Sequence, residues 1–218
     1  SMVEVANPKS SVASILYDRN DKVIARLFIE NRTPLPLHRI SPWLVKAVLA
    51  AEDSSFYQHG GIRIGSIMRA LWIDLVEHGK VQGASTITQQ LVKNLFLSPE
   101  QSLERKIEEL ALAIDFEFRY SKNEILSLYL NTIYFGSGYY GIYNAAHGYF
   151  GKDPSQLSLP EAAMLAGIPN APSLYSPYES FLMAKKRQFV VLDAMVRAGY
   201  IDERTATEAK IEPLYLAH

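Results

Sequence analysis

Apolar residues recur at helical spacing along most of the chain, and this pattern predicts a mainly α-helical protein. A helix is predicted from Ser41, a candidate N-cap, with Pro42 at its first helical position. At about 100° per residue, one side of this segment carries a group of apolar residues: Leu44, Val45, Val48, Leu49 and Phe56. Glu52 falls in the middle of that side. Burial of a carboxylate is costly unless it is paired or its pKa rises, so Glu52 is a candidate functional residue. The alternative is a structural role, in which Glu52 pairs with a core arginine or caps a neighbouring helix.

The N-terminal part of the chain predicts a different structure. Residues 12–29 contain two β-prone runs around a polar turn and predict a short β-hairpin, followed by a proline-containing connector at 31–40. We therefore expect a division into residues 1–40 and 41–218. Residues 62–79 are apolar on almost every side, which predicts either a buried helix or one that rests on an apolar surface.

A glycine-rich turn leads into a helix that ends near Leu97, with Ser85 or Thr86 as its cap. The free N–H groups at such a helix start favour an anion. One polar face of this helix carries Thr86, Gln89, Gln90 and Lys93. This face suits a phosphate, although an ordinary solvated face has the same pattern.

Capping boxes predict three further helix starts, at Ser98–Gln101, Ser121–Glu124 and Ser158–Glu161. The first of these helices has one main apolar stripe: Leu103, Ile107, Leu110, Ile114 and Phe118. Arg105 and Glu109 lie on the opposite side, which is also apolar further along. We therefore expect this helix to be covered on both sides, with Arg105 and Glu109 at the mouth of a cleft or, alternatively, forming a weak surface pair.

The composition narrows the class of protein. The 218 residues are 48% hydrophobic and 21% charged, with a net charge of −1. The sequence therefore lacks the excess of positive charge that is typical of nucleic-acid-binding proteins. No stretch approaches 18 consecutive apolar residues, and the absence of cysteine rules out disulfides and thiolate metal sites.

Two carboxylates on different predicted helices, Glu52 and Glu109, suggest chemistry at a glycosidic centre. Lys93 and Arg105 add cations that suit a phosphate leaving group, which a glycosidase does not need. Together these groups favour transfer from a sugar diphosphate over hydrolysis. Asp53 and His59, near Glu52 in the sequence, could form a pair of metal ligands, but the sequence places no third ligand. We therefore expect no permanent metal site and interpret both residues as holding the loop that follows Glu52.

Five ordered segments resemble the motifs of the peptidoglycan glycosyltransferase family, glycosyltransferase family 51. They are Glu52-Asp53-x-x-Phe56-x-x-His59-x-Gly61, Gly83-x-Ser85-Thr86-Ile87-Thr88-Gln89-Gln90, Arg105-Lys106-x-x-Glu109, Ile125-Leu126-x-x-Tyr129-Leu130-Asn131-x-x-Tyr134-x-Gly136, and Tyr149-Phe150-Gly151-Lys152 with Leu157-x-Leu159-x-Glu161-Ala162. One departure is Ser127, where the fourth motif commonly has glutamate. The end of the chain is similar to the segment that leads into the transpeptidase of class A penicillin-binding proteins, but no transpeptidase motif occurs here.

The resemblance implies a mainly α, lysozyme-like helical domain with a small mobile membrane-facing lobe, and residues 62–82 are the candidate for that lobe. It also implies polymerisation of lipid II into β-1,4-linked glycan strands, with inversion and release of undecaprenyl diphosphate. The expected location is the outer face of the bacterial cytoplasmic membrane, with a preceding N-terminal transmembrane helix as tether and a transpeptidase domain in the full-length parent. The partners are lipid II, the growing glycan chain and the membrane, with no nucleic acid. Moenomycin is the expected inhibitor.

By the family pattern, Glu52 is the general base, and Glu109, Lys93 and Arg105 lie at the donor and diphosphate side. The resemblance extends the substrate-binding set to further positions: Asp53, Phe56, His59, Ser85, Thr86, Gln89, Gln90, Asn94, Lys106, Tyr129, Asn131 and Asn170. No cofactor is required by the sequence, although a divalent cation, Mg or Mn, assists some members of the family.

Two other functions remain open from the residues alone. In a lysozyme-like hydrolase or lytic transglycosylase, Glu52 would be a general acid that cleaves finished glycan. In a catalytically silent scaffold, the chain would only bind cell-wall precursor or a partner protein. Lys93 and Arg105 argue against the first, and the Glu52/Glu109 pair argues against the second.

Overall fold

The computed structural model describes residues 34–63 and 85–218, and within them the chain is mainly α-helical. Nine α-helices occur in this part of the chain: α1 Pro42–Glu52, α2 Ile87–Phe96, α3 Leu103–Arg119, α4 Lys122–Thr132, α5 Gly141–Phe150, α6 Leu159–Gly167, α7 Pro172–Tyr175, α8 Phe181–Arg197 and α9 Glu203–Ile211. Short 3-10 turns lie at Leu37–Arg39, Pro154–Gln156 and Ile168–Asn170. The mainly α fold class is thus confirmed. The predicted hairpin, and all but the first two residues of the candidate lobe at 62–82, lie outside the described residues. The division at residue 40 therefore stays a prediction.

The contacts divide the described residues into two compact units. One, which we call the α2–α3 unit, comprises Pro34, residues 56–63 and residues 85–128. The other, the α6 unit, comprises Leu35–Ser55 and Tyr129–His218. No helix in the described residues is both long enough and apolar enough to cross a membrane.

The centre of the α6 unit is α6 itself, which packs against α1 and α8. Every residue of α6 is buried. Three alanines and Gly167 make this possible, since small side chains let neighbouring helices approach closely. The predicted capping box at its start is confirmed: the Ser158 hydroxyl accepts from the Glu161 N–H, and the Glu161 carboxylate accepts from the Ser158 N–H at 2.9 Å.

In the α2–α3 unit, α2 packs against α3. Helix α2 begins with a capping box, in which the Thr86 hydroxyl accepts from the Gln89 N–H and the Gln89 side chain accepts from the Thr86 N–H at 2.9 Å. The predicted box at Ser121 and Glu124, at the start of α4, is also confirmed.

The predicted start of α3 is wrong. Helix α3 begins at Leu103, and its N-cap is Ser102, whose hydroxyl accepts from the Arg105 N–H at 3.1 Å. The Ser98 hydroxyl instead accepts from the Arg105 side-chain Nε at 3.1 Å, so it serves a side chain and not a helix end.

The expectation that α3 is covered on both sides is also wrong. The side that contains Glu109, Leu112 and Phe116 is buried. The main apolar stripe of the sequence prediction is exposed to solvent, with Leu103 78% and Phe118 87% exposed. Helix α3 packs against α2 through the side that has fewer large apolar residues. The periodicity of apolar residues alone does not predict this choice of side.

Candidate active site

Glu52 is the last residue of α1, and its side chain is only 7% exposed. Leu44, Val48 and Leu49 of the same helix are buried, so the carboxylate lies on the buried side that the apolar pattern predicted. Ser41 precedes α1 as predicted. Its hydroxyl makes no capping bond and instead donates to the Leu157 carbonyl at 2.8 Å, which fixes the start of α1 within the α6 unit.

A cation on α8 accompanies this carboxylate. Arg187 Nη2 lies 3.9 Å from Glu52 Oε1, and the arginine side chain is 16% exposed. The same guanidinium donates from Nε to the Gly167 carbonyl at 3.4 Å and lies over the Tyr175 ring, 5.6 Å from its centroid. Pairing with a core arginine was the structural alternative for Glu52, but no sequence signal pointed to Arg187.

Gly167, the last residue of α6, leaves the space that this arginine occupies. A Cβ added at Gly167 would lie 2.6 Å from Arg187 Cγ, a separation that real Cβ atoms essentially never show. The absence of a side chain at Gly167 therefore determines where the stem of Arg187 runs.

Tyr129 lies beside Glu52 in the same unit and is 1% exposed. Burial raises its pKa well above the usual value, and the nearby carboxylates of Glu52 and Asp53 raise it further. The phenol therefore stays protonated at neutral pH and is a donor in the vicinity of two carboxylates. Asp53, 1% exposed, follows α1, and its N–H donates to the Leu49 carbonyl at 3.0 Å.

The two predicted asparagines of this unit lie in different settings. Asn131 Oδ1 accepts from the Leu35 N–H at 2.9 Å, and its Nδ2 donates to the Leu35 carbonyl at 3.0 Å. This amide therefore fixes the chain that leads into α1. Asn170 is exposed and ends the turn after α6.

Glu109, in the α2–α3 unit, is also a buried carboxylate, with 8% of its side chain exposed. Lys106 Nζ donates to Glu109 Oε1 at 2.9 Å and to the Ser85 hydroxyl at 3.3 Å. Lys106 is half exposed, so its ammonium bridges a buried carboxylate and a solvent-facing hydroxyl. This places three predicted site residues together.

Arg105 is directed to other partners. Its Nη1 donates to Glu108 Oε2 at 2.8 Å, so its salt bridge is with Glu108 and not with Glu109. Lys93 and Asn94 are exposed near the end of α2, while Gln90 is half buried. Thr86 and Gln89 are buried, and their side chains form the capping box of α2.

Phe56 and His59 belong to the loop that follows Glu52 along the chain. Phe56 is fully buried, and the His59 ring meets it edge to face at 6.0 Å. His59 Nδ1 accepts from the Gly61 N–H at 3.0 Å, so this histidine holds its own loop. Within residues 34–63 and 85–218, no group of three or more His, Asp or Glu side chains is arranged to hold a metal ion.

The predicted site residues are thus divided between the two units. Glu52, Asp53, Tyr129, Asn131 and Asn170 belong to the α6 unit. The α2–α3 unit contains the rest: Phe56, His59, Ser85, Thr86, Gln89, Gln90, Lys93, Asn94, Arg105, Lys106 and Glu109. Chemically, the α6 unit offers a buried carboxylate that can accept a proton, and the α2–α3 unit offers ammonium and guanidinium groups that can bind a phosphate.

Comparison with known proteins points to one family. A family profile described as Transglycosylase matches residues 20–196. The chain is 43% identical over 198 residues to penicillin-binding protein 1F of Bacillus subtilis (strain 168), which covers 91% of this chain and 28% of the relative. It is 45% identical over 199 residues to penicillin-binding protein 1A of Escherichia coli (strain K12), covering 91% and 23%.

A solved structure agrees with the sequence relatives. The crystal structure of penicillin-binding protein 1A from Haemophilus influenzae matches with a TM-score of 0.52 and 26% identity, over 85% of this chain and 18% of the other. The chain spans about a quarter of the length of the curated relatives described above.

Proposed function

Since the chain belongs to the transglycosylase family, we propose that it is a peptidoglycan glycosyltransferase that polymerises lipid II into β-1,4-linked glycan strands. The observation that carries the proposal is Glu52, a buried carboxylate at the end of α1 in a chain that matches this family over most of its length. Its neighbours are those of a proton acceptor: an arginine at 3.9 Å and the protonated phenol of Tyr129.

In the proposed reaction, Glu52 takes the proton from the 4-hydroxyl of the acceptor N-acetylglucosamine. The freed oxygen attacks the anomeric carbon of the donor, the bond to the diphosphate breaks, and the configuration inverts. Undecaprenyl diphosphate leaves with the bonding electron pair. A positioned general base typically contributes a factor of about 10² to 10⁴ to such a step.

The cationic side chains of the α2–α3 unit serve the donor in this proposal. Lys93, Arg105 and Lys106 lie at the leaving diphosphate, where positive charge stabilises the transition state. Glu109 holds Lys106 through the 2.9 Å ion pair, so the ammonium is in place before the substrate arrives.

The wider setting is also proposed from the relatives. Because the matched relatives are penicillin-binding proteins several times longer than this chain, we place the activity at the outer face of the bacterial cytoplasmic membrane. The parent is then a class A penicillin-binding protein with a membrane anchor and a transpeptidase domain.

Incubation with labelled lipid II, followed by sizing of the products, tests the proposal. We expect glycan strands of many disaccharides and release of the lipid diphosphate. A parallel incubation with finished glycan separates the alternatives. Cleavage of that glycan without use of lipid II would show a hydrolase or lytic transglycosylase, and inertness toward both would show a binding scaffold.

A further inference from the structure

Glu117 of α3 is a largely buried carboxylate that lies outside every motif of the family resemblance. Its side chain is 10% exposed, and its Oε1 accepts two hydrogen bonds. One comes from the Thr88 hydroxyl of α2 at 2.8 Å, and the other from Lys122 Nζ of α4 at 2.7 Å. One oxygen atom therefore joins α2, α3 and the first turn of α4.

The partners of Glu117 are themselves enclosed. Thr88 is fully buried, and 21% of the Lys122 side chain is exposed. This arrangement is costly to break, because removal of the Glu117 carboxylate leaves the Thr88 hydroxyl and the Lys122 ammonium without their acceptor. Glu117 thus has a fixed position.

This fixed carboxylate contacts the loop from Phe56 to Gly61. Lys122 Nζ lies 4.5 Å from the centroid of the Phe56 ring, which is a cation–π contact. At the other end of the loop, a Cβ added at Gly61 would lie 2.8 Å from Glu117 Cγ and 2.8 Å from the Ala113 carbonyl oxygen. The backbone of Gly61 therefore packs directly on the stem of Glu117, with a φ of +92° that favours glycine.

The same loop is also held from α2 and from within. The Thr86 hydroxyl donates to the Gly61 carbonyl at 2.6 Å, and the Gly61 N–H donates to His59 Nδ1 at 3.0 Å. The position of the His59 ring therefore depends on the position of the Gly61 backbone, which packs on Glu117.

We propose that Glu117 is a positioning residue for the reaction, acting through the loop from Phe56 to Gly61 and its His59. The inference rests on the proposed function, because this loop continues the segment that begins with Glu52. Misplacement of a catalytic segment by about 1 Å can cost on the order of 100-fold in rate. A loss of positioning is therefore expected in kcat more than in KM.

The first test compares Glu117→Ala with the unmodified protein in lipid II polymerisation. We expect kcat to fall roughly 10- to 100-fold, with KM within about twofold. Thr88→Val, which removes one hydroxyl at nearly constant volume, lowers kcat in the same direction by a smaller factor. The two substitutions together cost less than the product of their separate effects, because both act through one contact. Glu208→Gln, which changes an exposed carboxylate paired with Arg204, is the control and leaves kcat unchanged.

The second test measures backbone hydrogen exchange in peptides that cover residues 56–63. We expect faster exchange at the Gly61 amide in Glu117→Ala, with exchange in α6 and α8 unchanged. A residue that only stabilised the fold would lower the melting temperature and leave both kcat at a permissive temperature and the loop amides as they were.

The outcomes separate this inference from the function on which it rests. If the unmodified protein makes no glycan from lipid II, the proposed function fails. If it makes glycan, but Glu117→Ala keeps kcat within twofold or leaves exchange in the loop unchanged, the positioning role is overturned. Thr88→Val decides the matter in the same way if Glu117→Ala does not fold.

Discussion

Glu52 and Glu109 are buried to nearly the same extent, with 7% and 8% of their side chains exposed, but their surroundings differ. Glu109 is in direct contact with an ammonium at 2.9 Å. Glu52 has its arginine at 3.9 Å, too long for a hydrogen bond between these two atoms. An ammonium in direct contact with a carboxylate is held in place by it, whereas a cation at 3.9 Å stabilises the negative charge without a hydrogen bond between these two atoms. The comparison supports different roles for the two glutamates in the proposed reaction.

The largest expected effect is that of Glu52→Gln. The amide keeps the shape of the side chain but cannot accept the proton, so we expect polymerisation of lipid II to fall at least about 100-fold with the helical content unchanged. Product sizing and circular dichroism measure the two quantities. Glu179→Gln, an exposed carboxylate of the same unit, is the control. Full activity in Glu52→Gln would reject the assignment of the general base.

A smaller effect is expected from the second carboxylate and its cation. Glu109→Gln releases Lys106, and Lys106→Met removes the charge itself, so each should lower kcat/KM for lipid II by about 10- to 100-fold. Because the two act as a pair, the double variant should be hardly worse than Lys106→Met alone. Multiplicative losses in the double variant would show that Glu109 does not act through Lys106.

The smallest effect concerns a third buried glutamate, Glu161, which has a structural role. Burial acts to raise its pKa, but hydrogen bonds from the Lys152 ammonium and the Ser158 N–H outweigh it, and the pKa is lowered. The unfolded chain then binds more protons, so this contribution to stability is present above the unfolded pKa of about 4.3 and is lost as pH falls through the lower folded pKa.

Glutamine at this position keeps the capping bond from the Ser158 N–H but loses the negative charge that pairs with Lys152 Nζ at 2.9 Å. We therefore expect Glu161→Gln to lower the free energy of unfolding at neutral pH by about 1 kcal/mol. Denaturant melts at pH 7 and at pH 3 measure the difference. The gap between the two proteins should narrow at pH 3, and a gap that stayed constant would contradict the assignment.

The parts of the fold that the sequence predicts are those that depend on neighbouring residues. The capping boxes at Ser121 and Ser158 are correct, and Thr86 is one of the two candidate caps, because each of these bonds spans only three positions. The burial of Glu52 follows from its place in an apolar stripe. The start of α3 is mispredicted because serine can cap a helix at either position; in the structure Ser102 accepts from the Arg105 N–H, while Ser98 accepts from the Arg105 side chain.

Contacts between distant residues could not be predicted. Both sides of α3 carry apolar residues, and the packing of α3 against α2 determines which side is buried. Arg187 follows Glu52 by 135 positions, and no spacing rule connects a residue of α8 to the end of α1. The sequence therefore indicates which residues carry charge but not the partner of each charge, and the site itself stays a prediction.

Gly167 has a consequence for how this protein can change. Even a single methyl group there would collide with the stem of Arg187, the residue that pairs with Glu52, although Gly167 itself carries no charge. Substitution at the end of α6 is thus constrained by an ion pair between α8 and α1, so a change at an uncharged residue alters the surroundings of Glu52 with every acidic and basic residue intact.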